Sequence, residues 1–80
     1  RMNKDVRLES AVYTTAELAQ ILSLSTATIT RWARDGLPDG GEIPGRCRFG
    51  AQWHFRKGEV VEWIAIGGAA AARDAERERA

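Results

Sequence analysis

The chain has one cysteine, Cys47, and one histidine, His54. A lone cysteine excludes an intramolecular disulfide, and with a single histidine it makes no credible metal set, so no metal or other cofactor is expected. The same scarcity argues against an enzyme: there is no carboxylate pair over a convincing pocket, no nucleophile beside a base, and no glycine-rich phosphate loop. No apolar run reaches the roughly eighteen residues of a membrane span. The first residues lack the hydrophobic segment of a secretory signal, and the order Arg1, Met2 is read as a natural start at Met2. A soluble cytoplasmic protein with no membrane partner and no small-molecule substrate is the expectation. Charge of one sign is also missing, since twelve Lys and Arg oppose eleven Asp and Glu for a net +1. This balance excludes an obvious polycation while leaving room for charge gathered on one face.

Such gathering is visible. Between positions 20 and 56 stand Arg31, Arg34, Arg46, Arg48 and Arg56 against only Asp35, Asp39 and Glu42. The 80 residues make about one small domain, whose core must come from few large side chains. The three tryptophans are the natural anchors of that core.

The first periodic segment is "TTAELAQIL". Thr14 followed three residues later by Glu17 fits a capping box, and Leu18, Ile21 and Leu22 recur on one face, which predicts a helix over 15–22. After "SLS", Ser25 is the expected cap of a second helix running through Thr26 to Arg34. There Ile29 and Ala33 share a face with Trp32 at its edge, while Ala27, Arg31 and Arg34 point the other way and Thr30 lies at the side. In "RDGLPDGG", Gly36 is the expected left-handed cap and Pro38 stops the helix.

From 42 to 56 the pattern becomes "EIPGRCRFGAQWHFR", which predicts two short antiparallel strands with Gly50 near the tip. On the second strand Gln52, His54 and Arg56 face away from Trp53 and Phe55; on the first, Arg46 and Arg48 share a face. Such a hairpin is weak alone, so its apolar side is expected against the helices. "KGEVVEWIAI" then predicts a helix with Val60, Trp63 and Ile64 inward. The closing "AAAARDAERERA" favours helix but has no large apolar residue, so it reads as a solvated extension or a frayed end. The expected organisation is a flexible arm over 1–12, a domain over 13–66 and a charged alanine-rich tail over 67–80.

Two helices joined by a short turn, the second capped and bearing a polar outer stripe, read as a helix-turn-helix. Short hydroxyl side chains near the start of the second helix let its free N–H groups approach a phosphate, and Arg31 and Arg34 reach base edges or phosphates farther along. Arginines on the hairpin suit the backbone or the minor groove. A plainer reading stays open beside this one: Ser25 is only a cap, the threonines are solvated, and the arginines decorate a surface. Arg56 has the same two options, a phosphate clamp or a surface pair with Glu59.

The run "YTTAELAQILSLSTATITRWARDGLP" followed by "GRCRFGAQWHFRKGEVVEWI" resembles the excisionase and MerR-type winged helix-turn-helix family. Thr14, Glu17, Leu18, Ala19 and Leu22 correspond to its first helix, and Ser25, Thr28, Ile29 and Trp32 to its recognition helix. The "GLP" at 36–38 follows, and Trp53, Phe55, Val60, Trp63 and Ile64 close the pattern. The resemblance implies a mostly α fold with a small β-hairpin wing and contacts to double-stranded DNA through Ser25, Thr26, Thr28, Thr30, Arg31 and Arg34. Arg46, Arg48, Gln52, His54 and Arg56 would support from the wing. Thr28 sits beside Trp32 on the helical wheel and is the least outward of these. Small stand-alone members resemble phage recombination directionality factors, which bind and bend attachment-site DNA beside further copies of themselves and an integrase, so that excision is favoured. The alternative implied by the same family is a small prophage or bacterial transcriptional regulator.

Overall fold

A computed structural model of the chain describes residues 11–79. Residues 1–10 of the arm expected over 1–12 therefore lie outside the described residues, as does Ala80. The elements in chain order are β1 (Val12–Thr14), α1 (Thr15–Leu22), α2 (Thr26–Asp35), β2 (Arg46–Phe49), β3 (Gln52–Arg56), α3 (Lys57–Ala65) and α4 (Gly68–Arg79). The architecture is mostly α with a small antiparallel wing, as the periodicities predict.

Helix α1 begins where its sequence signals place it. The Thr14 hydroxyl accepts from the Glu17 N–H at 3.1 Å, and the Glu17 carboxylate accepts from the Thr14 N–H at 2.9 Å, which completes the capping box. Two of the helix's otherwise unpaired donors or flanking donors are thereby satisfied. At the other end the chain leaves through Ser23 in the left-handed conformation, φ 59° and ψ 44°, with its N–H directed back to the α1 carbonyls. Gly36 after α2 differs from the left-handed cap expected of it: φ is 102° but ψ is 168°, an extended exit open to glycine that carries the chain straight into the loop.

The hairpin is part of a three-stranded sheet in the order β1-β3-β2, because Val12–Thr14 adds to the outer side of β3. Val12 is buried and paired with Arg56, so the folded unit reaches one residue into the stretch read as an arm. Val12, Tyr13 and Thr14 all favour extended backbone, but a run of three ending in a helix cap is too short to read as a strand alone, and β3 supplies its partner.

One core joins the helices to β3 and to the loop before the wing. Leu18 and Leu22 of α1, Ile29, Trp32 and Ala33 of α2, Ile43 of the loop, Phe55 of β3, and Val60 and Trp63 of α3 are buried together. Each large side chain removed from water contributes about 1.5–3 kcal/mol, so these few residues carry most of the favourable burial. Gly45 brings the wing close to this core: its φ is +77°, and a Cβ there would stand 3.0 Å from the Arg56 nitrogen and 3.2 Å from the Arg56 oxygen. The Gly45 carbonyl in turn accepts from the Arg56 N–H at 3.0 Å.

The alanine-rich tail is neither frayed nor free of the domain. It forms α4, whose Ala69 and Ala72 are buried in the same core. Alanine docks a helix by allowing close approach, without a large side chain. The Arg73 guanidinium donates to the last α1 carbonyl, that of Leu22, at 3.0 Å, which satisfies an acceptor left open at the helix end.

Candidate nucleic-acid interface

Helix α2 starts from a three-residue turn, Ser23 to Ser25, in which Leu24 is half-buried and packs on the core. The Ser25 hydroxyl accepts the Thr28 N–H at 3.1 Å and lies 2.9 Å from the Thr28 hydroxyl. With Ile29, Trp32 and Ala33 fully buried, the 3.6-residue period fixes the other side of the helix outward. Ser25, Thr26, Ala27 and Arg34 are exposed there, while Thr28, Thr30 and Arg31 are half-buried. The N–H groups of Thr26 and Ala27 open the helix beside two exposed hydroxyls, a polar and sterically slim end suited to an anion.

The two arginines of α2 stand differently. Arg34 is exposed and forms a bidentate pair with its neighbour Asp35, at 2.9 and 3.0 Å. The guanidinium holds the Asp35 carboxyl below its ordinary range, chiefly through those hydrogen bonds. Exposed pairs of this kind are held weakly, so Arg34 can exchange Asp35 for a phosphate. Arg31 instead turns sideways and is ion-paired with Glu76 of α4. The second oxygen of Glu76 accepts the indole N–H of the buried Trp32 at 3.0 Å. That N–H and the Arg31 guanidinium together hold the Glu76 carboxyl below its usual range.

The sign of this shift gives a test. A carboxyl whose folded pKa lies below its unfolded one adds stability at all pH above the unfolded value, and the gain disappears as pH falls through the folded one. Wild type is therefore expected to hold a constant stability advantage over Glu76→Gln above about pH 5 and to lose it progressively below. Urea midpoints measured for both proteins across that range would check it, and parallel acid profiles would count against it.

The hairpin's register decides which of its side chains act together. Arg46 pairs with Phe55, Cys47 with His54, Arg48 with Trp53, and Phe49 with Gln52. Opposed residues share a face. Gln52, His54 and Arg56 do lie opposite Trp53 and Phe55, as the alternation predicts, but Arg46 and Arg48 fall on the Trp53 side. The expected five-residue wing surface is thus divided between two faces by a tight turn over Gly50 and Ala51.

On the first face both guanidiniums lie over the Trp53 ring, Arg46 at 5.4 Å and Arg48 at 4.7 Å from its centroid. Arg46 also donates to the Ala33 carbonyl near the end of α2 and to Glu42 at 2.9 Å. It braces the wing against α2, and Arg48, exposed, is the arginine left to reach outward. On the second face the half-buried His54 ring stacks at a tilt on Phe49, centroids 4.9 Å apart. Gln52 is exposed at the tip. Arg56 takes the surface-pair option, bonded to Glu59 at 3.0 and 3.3 Å.

Of the residues singled out in the sequence, the structure leaves Ser25, Thr26, Arg34, Arg48, Gln52 and Arg56 exposed, Arg34 paired with Asp35 and Arg56 with Glu59, with Thr30 at the margin. Thr28, Arg31, Arg46 and Arg56 have intramolecular partners, and His54 lies on the second hairpin face. The residue that sequence reasoning missed is Glu76. Its signal was the spacing of Ala69, Ala72 and Glu76, which places two small side chains and one carboxylate on one face of a helix.

A family model described as a helix-turn-helix domain matches residues 12–65. No curated protein and no solved structure matches the chain. The matched span opens at the first residue of β1 and closes at the last of α3, which leaves α4 beyond it. Helix-turn-helix domains are in general DNA-binding modules that perform no chemistry on their ligand. With its capped α2, the turn before it and the three-stranded wing braced at the helix end, this chain belongs to the helix-turn-helix domain family and has the winged form of that fold.

Proposed function

We propose that the protein is a sequence-specific, architectural DNA-binding protein of the excisionase kind, which binds attachment-site DNA and favours excision by an integrase. The observation that carries the DNA reading is the outward side of α2. It combines exposed hydroxyls at the helix start with an exposed arginine near its end, beside a wing whose Arg48 also faces solvent. Helix α2 enters the major groove, and the wing follows the adjacent backbone or minor groove.

The excisionase reading draws on the sequence resemblance and on the course of α4. This helix folds back on the domain, with Ala69 and Ala72 buried and Glu76 joined to α2. A MerR-type regulator commonly continues instead into a long dimerisation helix. A single small module buries limited surface on DNA, so several copies side by side, together with the integrase, supply the affinity. Bending costs on the order of a few kcal/mol and is offset by the contacts it adds. Strand cleavage belongs to the integrase.

Selection from a random duplex library, followed by gel shift and footprinting at several salt concentrations, tests this. The expected result is an enriched duplex, stepwise complexes on repeated copies of it, slower migration when the site is central, and affinity that falls steeply with salt. One isolated promoter-type footprint without bending would favour the regulator. Absence of any enriched duplex would remove the DNA reading.

Two variants sharpen the test. Arg34→Ala is expected to lower affinity for the enriched duplex roughly tenfold while the fold is retained. Arg48→Ala is expected to weaken enriched and scrambled duplexes alike and to reduce the salt slope by about one. Unchanged affinities for both folded variants would remove this surface from the mechanism.

A further inference from the structure

We propose that Glu76, on the helix beyond the family's domain, is a positioning residue for DNA recognition, fixing Arg31 so that its remaining donors meet the DNA in one orientation. The inference rests on the DNA-binding reading of α2 given above. Arg31 lies on the side of α2 opposite the buried Ile29 and Ala33, and its side chain is 33% exposed. Only its Nη2 is engaged, by a Glu76 oxygen; among the described residues its Nε and Nη1 make no hydrogen bond. The guanidinium therefore keeps Nε and Nη1 as uncommitted donors while Nη2 is tied to Glu76.

The tie is rigid because Glu76 is itself held. Its other oxygen accepts from the indole of Trp32, which is fully buried. Four residues earlier, one helical turn back, Ala72 is fully buried, and Arg73 donates to the Leu22 carbonyl. The carboxylate thus stands on the core through three separate contacts of α4. A free arginine loses much rotamer freedom when it is immobilised on a ligand. An arginine already fixed before binding loses less, and it also accepts fewer alternative geometries on the wrong base pairs. Pairing with Glu76 keeps the local charge near neutral, so Arg31 contributes direction to the interface more than bulk attraction. The cationic attraction falls to Arg34 and Arg48, whose acidic or aromatic neighbours are exposed or uncharged.

The experiment is a double-mutant cycle of Glu76→Gln and Arg31→Ala. Each full-length protein is titrated on the duplex enriched by wild type, on single-base variants of it, and on a scrambled duplex. Glutamine keeps an oxygen to accept the Trp32 N–H, so α4 remains docked; helical circular dichroism checks this. Arg31→Ala is expected to reduce the preference for enriched over scrambled duplex roughly tenfold or more. Glu76→Gln should reduce it roughly three- to tenfold, at the same base pairs whose discrimination Arg31→Ala relaxes. In the Arg31→Ala background, Glu76→Gln should change the preference no further. A merely structural Glu76 would instead lower binding to every duplex in both backgrounds, and that result overturns the inference. So does tighter binding by Glu76→Gln, which would make the carboxylate a competitor of DNA. If wild type enriches a duplex and Glu76→Gln leaves its preference unchanged, the inference fails alone; if wild type enriches none, the DNA reading falls and takes it along.

Discussion

Replacing Trp32 by alanine is expected to cost about 3–5 kcal/mol of folding free energy. A domain of this length holds about 4–12 kcal/mol in total, so the variant should lose a large share of its stability. Two losses add. The indole is fully buried in the shared core and is bonded to α4 through Glu76, and its removal leaves a cavity that neighbours on separate elements cannot fully collapse to fill. Its N–H also satisfies Glu76, so truncation leaves that carboxylate with Arg31 as its remaining partner. Trp32→Phe largely separates the two effects, since it keeps most of the volume and deletes the donor. It should cost about 1–3 kcal/mol, in the range of a lost buried hydrogen bond plus a small void. Urea denaturation of the three proteins checks this. A Trp32→Ala shift below about 1 kcal/mol would mean that the ring is not packed as described.

The second large effect is expected at Gly45. Gly45→Ala should cost about 2–4 kcal/mol, about 1–2 from forcing an L-residue to a left-handed φ and the rest from crowding. The crowding is against backbone that cannot step aside, because the added Cβ would stand 3.0 Å from the Arg56 nitrogen and 3.2 Å from its oxygen. Gly50 is the internal control. Its φ is +64° and nothing lies within 4 Å of the equivalent Cβ, so Gly50→Ala should show only the conformational cost of about 1–2 kcal/mol. Equal melting temperatures for the two variants would remove the close approach of the wing base from the account. A difference would show that the hairpin is held at its root as well as along its Trp53 face.

The helix-turn-helix was legible because its signals are local. A threonine with a glutamate three residues on, a serine cap after a short turn, and apolar residues at helical spacing determine α1 and α2 with little help from the rest of the chain. Val60 and Trp63, both buried, were legible for the same reason, whereas Ile64, expected beside them, and Ile21, expected on the apolar face of α1, are exposed because each lies at the edge of its helix's buried face. The wing was legible as a hairpin but not as a surface. Which face each arginine occupies depends on register, and register follows from the turn at Gly50 and Ala51, where a shift of one residue exchanges the faces. The site's less visible half depends on contacts between residues far apart in sequence. Arg31 and Glu76, or Arg46 and Ala33, carry no local sign of one another. Helix α4 was misread because a search for large apolar residues overlooks alanine, whose small side chain brings two helices close enough for polar groups to bond.

Trp32 and its acceptor have a practical consequence for anyone shortening this protein. A fragment cut where the sequence family stops, after Ala65, would carry every turn and strand of the recognised module, yet a fully enclosed indole would lose its acceptor and the neighbouring guanidinium its anchor. The edge drawn by kinship and the edge drawn by bonding fall at different places along this chain.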